Sequence, residues 1–164
     1  MPCTFIDSSD MKLSLRGEYA LRAIQVLGEN YDPHRVVQIQ EISKQQNIPR
    51  RFLAQILNDL KSAGFVESRR GIAGGYRLAR KPKDITLARL IRHVEGALAP
   101  VGCVSQHFYR KCSCPDEHQC AIRSVMQEVR DSIVAILEKT TVAELCERAQ
   151  HLRVEPMRDL DYVI

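Results

Sequence analysis

The stretch Pro49-Arg50-Arg51-Phe52-Leu53-Ala54-Gln55-Ile56-Leu57-Asn58-Asp59-Leu60-Lys61-Ser62-Ala63-Gly64 decides the fold, together with the run Phe65-Val66-Glu67-Ser68-Arg69-Arg70-Gly71-Ile72-Ala73-Gly74-Gly75-Tyr76-Arg77-Leu78-Ala79 that follows it. Phe52, Leu53, Ile56, Leu57 and Leu60 recur at the three- and four-residue spacing of a helix face turned to a core. Arg50, Arg51, Gln55 and Asn58 fall on the other faces. Pro49 suits the first helical position, where an N–H would have no partner, and Gly64 stops the helix. Just upstream, residues 37–46 read as a shorter helix, with Asn47-Ile48-Pro49 as the turn. Two short helices joined by a tight turn, the second polar and basic at its start, form the helix-turn-helix pattern. Downstream, residues 65–69 and 75–79 read as strands, with Gly71, Gly74 and Gly75 supplying the positive φ of a turn. A hairpin directly after a recognition helix is a wing.

Outward from this centre, Leu13, Leu15, Tyr19, Ala20, Ala23, Ile24 and Leu27 mark a first helix with Ser14 as N-cap. Residues 84–96 form a helix ending near Gly96, and a polar, cysteine-rich loop spans 97–120. Ile122, Val125, Met126, Val129, Ile133, Ile136 and Leu137 then repeat every three or four residues. They predict a helix of about 18 residues, ~27 Å long. So small a protein has little with which to cover that stripe, so packing against a second copy is expected. The fold class is mainly α with a small β-hairpin: a winged helix-turn-helix domain plus a long dimerisation helix. The expected organisation is a disordered extension at 1–10, the DNA-binding domain at 11–96 and the cysteine loop at 97–120. The dimerisation helix and a short terminal helix fill 121–150, and a flexible tail fills 151–164.

Charge points to the partner. The net charge is only +4, but residues 50–92 hold eleven basic and three acidic side chains, so this segment alone carries +8. Such a patch implies a polyanion, here double-stranded DNA. No stretch approaches the ~20 apolar residues of a membrane span. The first ten residues lack the charged and apolar regions of a secretory signal, so a cytoplasmic protein is expected. Thiols there stay reduced unless metal or redox chemistry uses them. No phosphate-binding glycine loop, nucleophile triad or paired carboxylates stand at useful spacing, so no enzyme is expected.

Cys103, Cys112, Cys114 and Cys120 fall within eighteen residues. Thiolates are soft ligands that suit iron–sulfur clusters and zinc. Structural zinc sites usually show CxxC pairs, whereas this loop has Cys112-Ser113-Cys114 and a distant Cys120. Cys146 reads as a buried apolar residue and Cys3 as an incidental thiol.

Met11-Lys12-Leu13-Ser14, the wing with Gly74-Gly75-Tyr76, and the cysteine loop before a long helix resemble the IscR/NsrR/CymR family of bacterial winged-helix regulators. The resemblance covers residues 11–149 and implies a homodimeric transcription factor, with repression the expected sign. Many relatives hold an iron–sulfur cluster through three cysteines in this loop; others work through thiols or a partner protein. By resemblance, Cys103, Cys114 and Cys120 are the cluster cysteines, with Cys112 able to replace a neighbour or add a ligand. Ten residues separate Cys103 from Cys114, about twice the interval in IscR-like members. The histidine those members carry three residues after the last cysteine is matched by Arg123, which cannot ligate. NsrR-type members use a first-helix carboxylate from the other subunit, and Glu18 matches it. The fourth ligand stays open between Glu18, Cys112, His118 and His107. An iron–sulfur cluster is expected, [2Fe–2S] ahead of [4Fe–4S], with zinc the lesser option.

On the DNA side, Arg50, Arg51 and Gln55 can reach base edges in the major groove. Arg69, Arg70 and Arg77 flank a wing suited to a narrow minor groove, while Arg80, Lys81 and Lys83 suit phosphates. Cluster assembly would order the loop and fix two recognition helices about one DNA turn (~34 Å) apart. The alternative is a winged-helix regulator without a cluster, sensing through thiol oxidation, zinc or a metabolic enzyme as partner.

Overall fold

The computed structural model describes residues 13–154. The extension expected at 1–10 lies outside the described residues. Helix α1 runs Leu15–Glu29, and Ser14 caps it as expected, its hydroxyl accepting the Gly17 N–H at 3.1 Å. Helix α2 (Ile39–Gln46) ends at Asn47, whose left-handed φ of 51° makes the turn. Helix α3 (Arg50–Ser62) follows, with Pro49 as its N-cap rather than its first residue. Gly64, at φ 74°, reverses the chain into β1 (Val66–Arg69), which pairs antiparallel with β2 (Gly75–Leu78).

The second helix starts two residues later than expected. Val37 is extended instead and exchanges two 2.8 Å backbone hydrogen bonds with Tyr76. A buried β-branched side chain fits that short bridge better than a helix N-terminus. It turns the hairpin base into a three-membered ribbon. The wing glycines also differ from expectation, because only Gly71 has a positive φ (110°). Gly74 and Gly75 serve close approach: a Cβ would stand 2.4 Å from the Arg69 carbonyl oxygen at Gly74, and 2.4 Å from that of Val37 at Gly75.

A 3-10 turn at Pro82–Asp84 leads to α4 (Leu87–Glu95), capped by Thr86. Gly96, at φ 92°, ends α4 and begins the cysteine loop, which contains a further 3-10 turn at Gly102–Val104. Helix α5 (Ala121–Lys139) has 19 residues, close to the expected length. Helix α6 runs Val142–Val154, so residues 151–154, assigned to a flexible tail by sequence, are helical. Arg153 ties that last turn to Glu29 through two 2.9 Å bonds. The rest of the expected tail lies outside the described residues.

One core unites α1, α2, α3, the wing strands and α6, with Ile24, Leu27, Ile42, Leu53, Leu57, Leu60, Leu78 and Val142 fully or nearly fully buried. The α5 stripe divides in two. Val134 and Leu137 pack on Leu87, Ala88, Ile91 and Leu98, and Met126 packs on Ala99, Cys103 and Val104. Ile122, Val125, Val129 and Ile136 stay exposed on the adjoining strip of the helix. Thus α5 folds back on its own chain and still presents an uncovered apolar ridge. Among the described residues, no helix is long and apolar enough to cross a membrane.

Candidate functional site

The residues expected to meet DNA stand on the outer side of α3 and on the wing. Leu53, Ile56, Leu57 and Leu60 hold α3 in the core, which leaves Arg50, Arg51 and Gln55 exposed at its N-terminal end. Arg69 and Arg70 are exposed where β1 runs into the wing tip. None of these four arginines makes an ion pair among the described residues. Arg77, grouped with them by sequence, is differently placed. It pairs with Glu67 across the strands at 2.8 Å and donates to the Pro33 carbonyl, so its guanidinium braces the wing. A groove of about 410 Å³ runs between the start of α2 and the wing, lined in part by Gln38, Gln40, Ser68, Arg69 and Arg70.

The loop brings its four cysteines into one neighbourhood. Cys114 and Cys120 stand 3.8 Å apart, sulfur to sulfur. Hydrogen bonds with the Cys112 and Cys120 thiols push Cys114 up to about 12. Cys103 is raised by burial first and then by the neighbouring Cys112. Cys112 thus lies near enough to influence both Cys103 and Cys114, and Cys114 touches Cys120. Cys120 is the N-cap of α5: its sulfur accepts the Arg123 N–H at 3.4 Å, and that bond lowers its pKa. A helix N-terminus favours a thiolate in this way.

Other groups shape the loop. Tyr109 donates to both oxygens of Glu117 at 2.9 and 2.8 Å, which lowers the Glu117 carboxyl, and Cys112 donates to the same carboxylate at 3.6 Å. Arg123 Nε donates to the Cys103 carbonyl at 3.3 Å. Arg130, buried on α5, donates to the Val104 carbonyl at 2.7 Å. Sequence reading treated Arg123 only as a missing ligand and did not find Arg130. An arginine set among the apolar repeats of that helix was the only signal in the sequence.

Tetrahedral metal–thiolate bonds of ~2.3 Å place two sulfurs roughly 3.8 Å apart. The Cys114–Cys120 pair has that separation. Among the described residues, no three or more His, Cys, Asp or Glu side chains yet converge as metal ligands. The donor set fits a thiophilic metal or cluster in kind, and one pair fits in spacing. Glu18 lies on α1, where it pairs with Arg22 at 3.0 Å.

The last turn of α4, just before this loop, is tied to the start of α1 and to α3. Glu95 accepts from the Ser14 N–H at 3.0 Å and from its hydroxyl at 2.8 Å, fastening the start of α1. His93 and Arg16 both reach Asp59 of α3 at 3.0 Å. Gly17 leaves room for the first clamp, since a Cβ there would stand 1.8 Å from the Glu95 carboxylate.

A family model described as "Rrf2: Iron-dependent Transcriptional regulator" matches residues 13–148. The chain belongs to the Rrf2 family. Its members include a Rhodobacter capsulatus regulator described as rrf2-like, 37% identical over 131 residues that cover 78% of this chain and 87% of that protein. The regulator NsrR of Geobacillus kaustophilus is 31% identical over 143 residues, covering 87% of this chain and 95% of NsrR. Among solved structures, CymR of B. subtilis, described as its global cysteine regulator, superposes with a TM-score of 0.71 at 28% identity, covering 84% of this chain and 98% of CymR. T. potens IscR gives 0.67 at 26%, covering 93% and 96%. These relatives carry the same mostly helical fold with a winged helix. This Rrf2 protein is accordingly a DNA-binding transcriptional regulator and not an enzyme.

Proposed function

We propose that this Rrf2 protein is a homodimeric repressor whose grip on a duplex operator is set by an iron–sulfur cluster in its cysteine loop. The observation that carries the reading is the Cys114–Cys120 pair at the start of α5, in a loop whose Cys103 turn is held by Arg123 and which follows directly on the clamps of α4. Cys103, Cys114 and Cys120 would hold the cluster, with Cys112 or Glu18 of the other subunit as the remaining ligand. Each iron of a [2Fe–2S] unit takes two protein ligands and each iron of a [4Fe–4S] unit takes one. The 3.8 Å Cys114–Cys120 pair would suit two thiolates on one metal, and a [2Fe–2S] cluster is the form proposed. Such a group would supply sensitivity to oxidants and to its own loss.

The protein's residues would do the rest. Arg123 and Arg130 hold the Cys103–Val104 turn against α5, so the position of the loop follows that helix. Glu95, His93 and Asp59 carry the position of α4 to α1 and α3. The uncovered ridge Ile122, Val125, Val129 and Ile136 fits a second copy across α5. Arg50, Arg51 and Gln55 would read bases while the wing meets the minor groove with Arg69 and Arg70 on its flanking phosphates, and Arg77 braces the wing. The regulated genes would be freed when the loop loosens and the two recognition helices lose their spacing.

The closeness of Cys114 and Cys120 also supports the cluster-free alternative, in which these two thiols report oxidation directly. Anaerobic purification with a visible spectrum and with iron and sulfide analysis separates the two. Colour with equal iron and sulfide supports the cluster. A colourless protein lacking both, even after reconstitution, transfers the sensing role to the thiols.

A further inference from the structure

The wing ends in one large apolar side chain. Ile72 has a relative exposure of 105%, above that of any other large apolar residue among those described. An isolated exposed isoleucine is ordinary on a protein surface. This one has a particular setting. Its neighbours at the tip are Gly71, Ala73, Gly74 and Gly75, so it alone projects from a narrow turn. Arg69 and Arg70, exposed and without ion pairs among the described residues, stand immediately before it. The turn beneath is braced by the Gly74 N–H to Gly71 carbonyl bond at 2.9 Å, by four cross-strand residue pairs and by the Val37–Tyr76 bridge. The tip is therefore an apolar point on a stiff, basic arm. A second copy would cover the ridge on α5; among the described residues nothing covers Ile72.

We infer that Ile72 is a DNA contact of its own, packing its side chain into the minor groove while Arg69 and Arg70 engage the flanking backbone. The inference rests on the proposed wing–DNA contact and goes beyond it by assigning an apolar role to a residue with no charge or hydrogen-bonding group. The minor groove of B-DNA is about 6 Å wide, so only a narrow tip enters it. Its walls are sugar C–H surface, and isoleucine is among the apolar side chains that minor-groove proteins insert. Burying it there removes apolar surface from water without displacing a counterion.

That distinction gives the test. The probe is a duplex that the unaltered full chain, purified anaerobically, enriches from a random pool. Binding is measured for Ile72→Ser, Ile72→Leu and Arg70→Ala across a salt series. Ile72→Ser is expected to lose affinity roughly 10- to 100-fold, the effect of unburying one aliphatic side chain. Its slope of log affinity against log salt stays that of the unaltered protein, and Ile72→Leu keeps most of the affinity. Arg70→Ala instead flattens the slope by about one. If Ile72→Ser binds normally while Arg70→Ala weakens, the inference is overturned and the wing contact stands. If neither variant matters, the wing contact falls as well. A loss in Ile72→Ser accompanied by a flatter slope also overturns the inference, because it reports undocking of the whole wing. Because Ile72 touches no core residue, unchanged thermal unfolding in all three variants is expected.

Discussion

Arg123 acts twice at the start of α5. Its backbone N–H bonds the Cys120 sulfur and its guanidinium holds the Cys103 carbonyl, so two candidate ligands seventeen residues apart depend on one side chain and one cap. In sequence it showed only as a position where a histidine was missing, because a bond to a carbonyl twenty residues away leaves no local pattern. The cysteines themselves were legible from density and residue type alone. Cys114→Ala or Cys120→Ala is expected to change operator affinity; Cys114→Ala should leave the circular dichroism melt in place, since its side chain lies outside the main core, and Cys120→Ala should lower it only by the loss of one helix cap, about 1 kcal/mol. Unaltered affinity in both would remove the switch role. Gly75→Ala tests the wing base. Its Cβ would press on the Val37 carbonyl, and a loss of about 1–3 kcal/mol is expected in urea unfolding, the usual range for overpacking. Cys146, buried against α1 and pushed up to about 11 by that burial, should resist alkylation at neutral pH until the protein unfolds. Mass spectrometry of the labelled protein reads this directly.

At the scale of elements, α3 and the wing were readable because apolar spacing, Pro49 and the glycines are local signals. Their exact neighbours were not. Val37 looked like the start of a helix, and only its pairing with Tyr76, thirty-nine residues on, makes it extended. The end of α6 was likewise assigned to a tail, because its hold on Glu29 spans 124 residues. Ser14 was visible as a cap, but its partner Glu95 lies 81 residues away. That partner makes α4 a clamp rather than a linker. Glu95→Ala removes the acceptor for two Ser14 donors and is expected to cost about 1–2 kcal/mol of stability, measured by chemical denaturation. Glu95→Gln, which keeps an acceptor oxygen, should recover part of it. Equal stability of Glu95→Ala and the parent would show that the clamp does not hold α1.

Across the whole molecule, the account needs two copies. Sequence periodicity placed seven apolar residues on one stripe of α5. Of these the structure sends Met126 and Leu137 inward, beside Val134, which lay outside the stripe, a division that periodicity alone does not show because adjoining strips of a helix share one spacing. The exposed half should mediate association: Val129→Asp would bury a charge at that ridge and is expected to shift the protein to monomer in sedimentation velocity. Operator affinity should fall with it, since one recognition helix then acts alone. A Val129→Asp protein that remains dimeric would place the interface elsewhere. The central claim, that the loop's cluster sets the grip on DNA, is tested most directly by one comparison. Cluster-loaded and cluster-stripped protein, both kept anaerobic, are titrated against the same enriched duplex at one fixed salt concentration. The account predicts affinities differing by at least about tenfold, roughly 1.4 kcal/mol of coupling, with the loaded form the tighter. Equal affinities for two forms that remain folded and dimeric would contradict it.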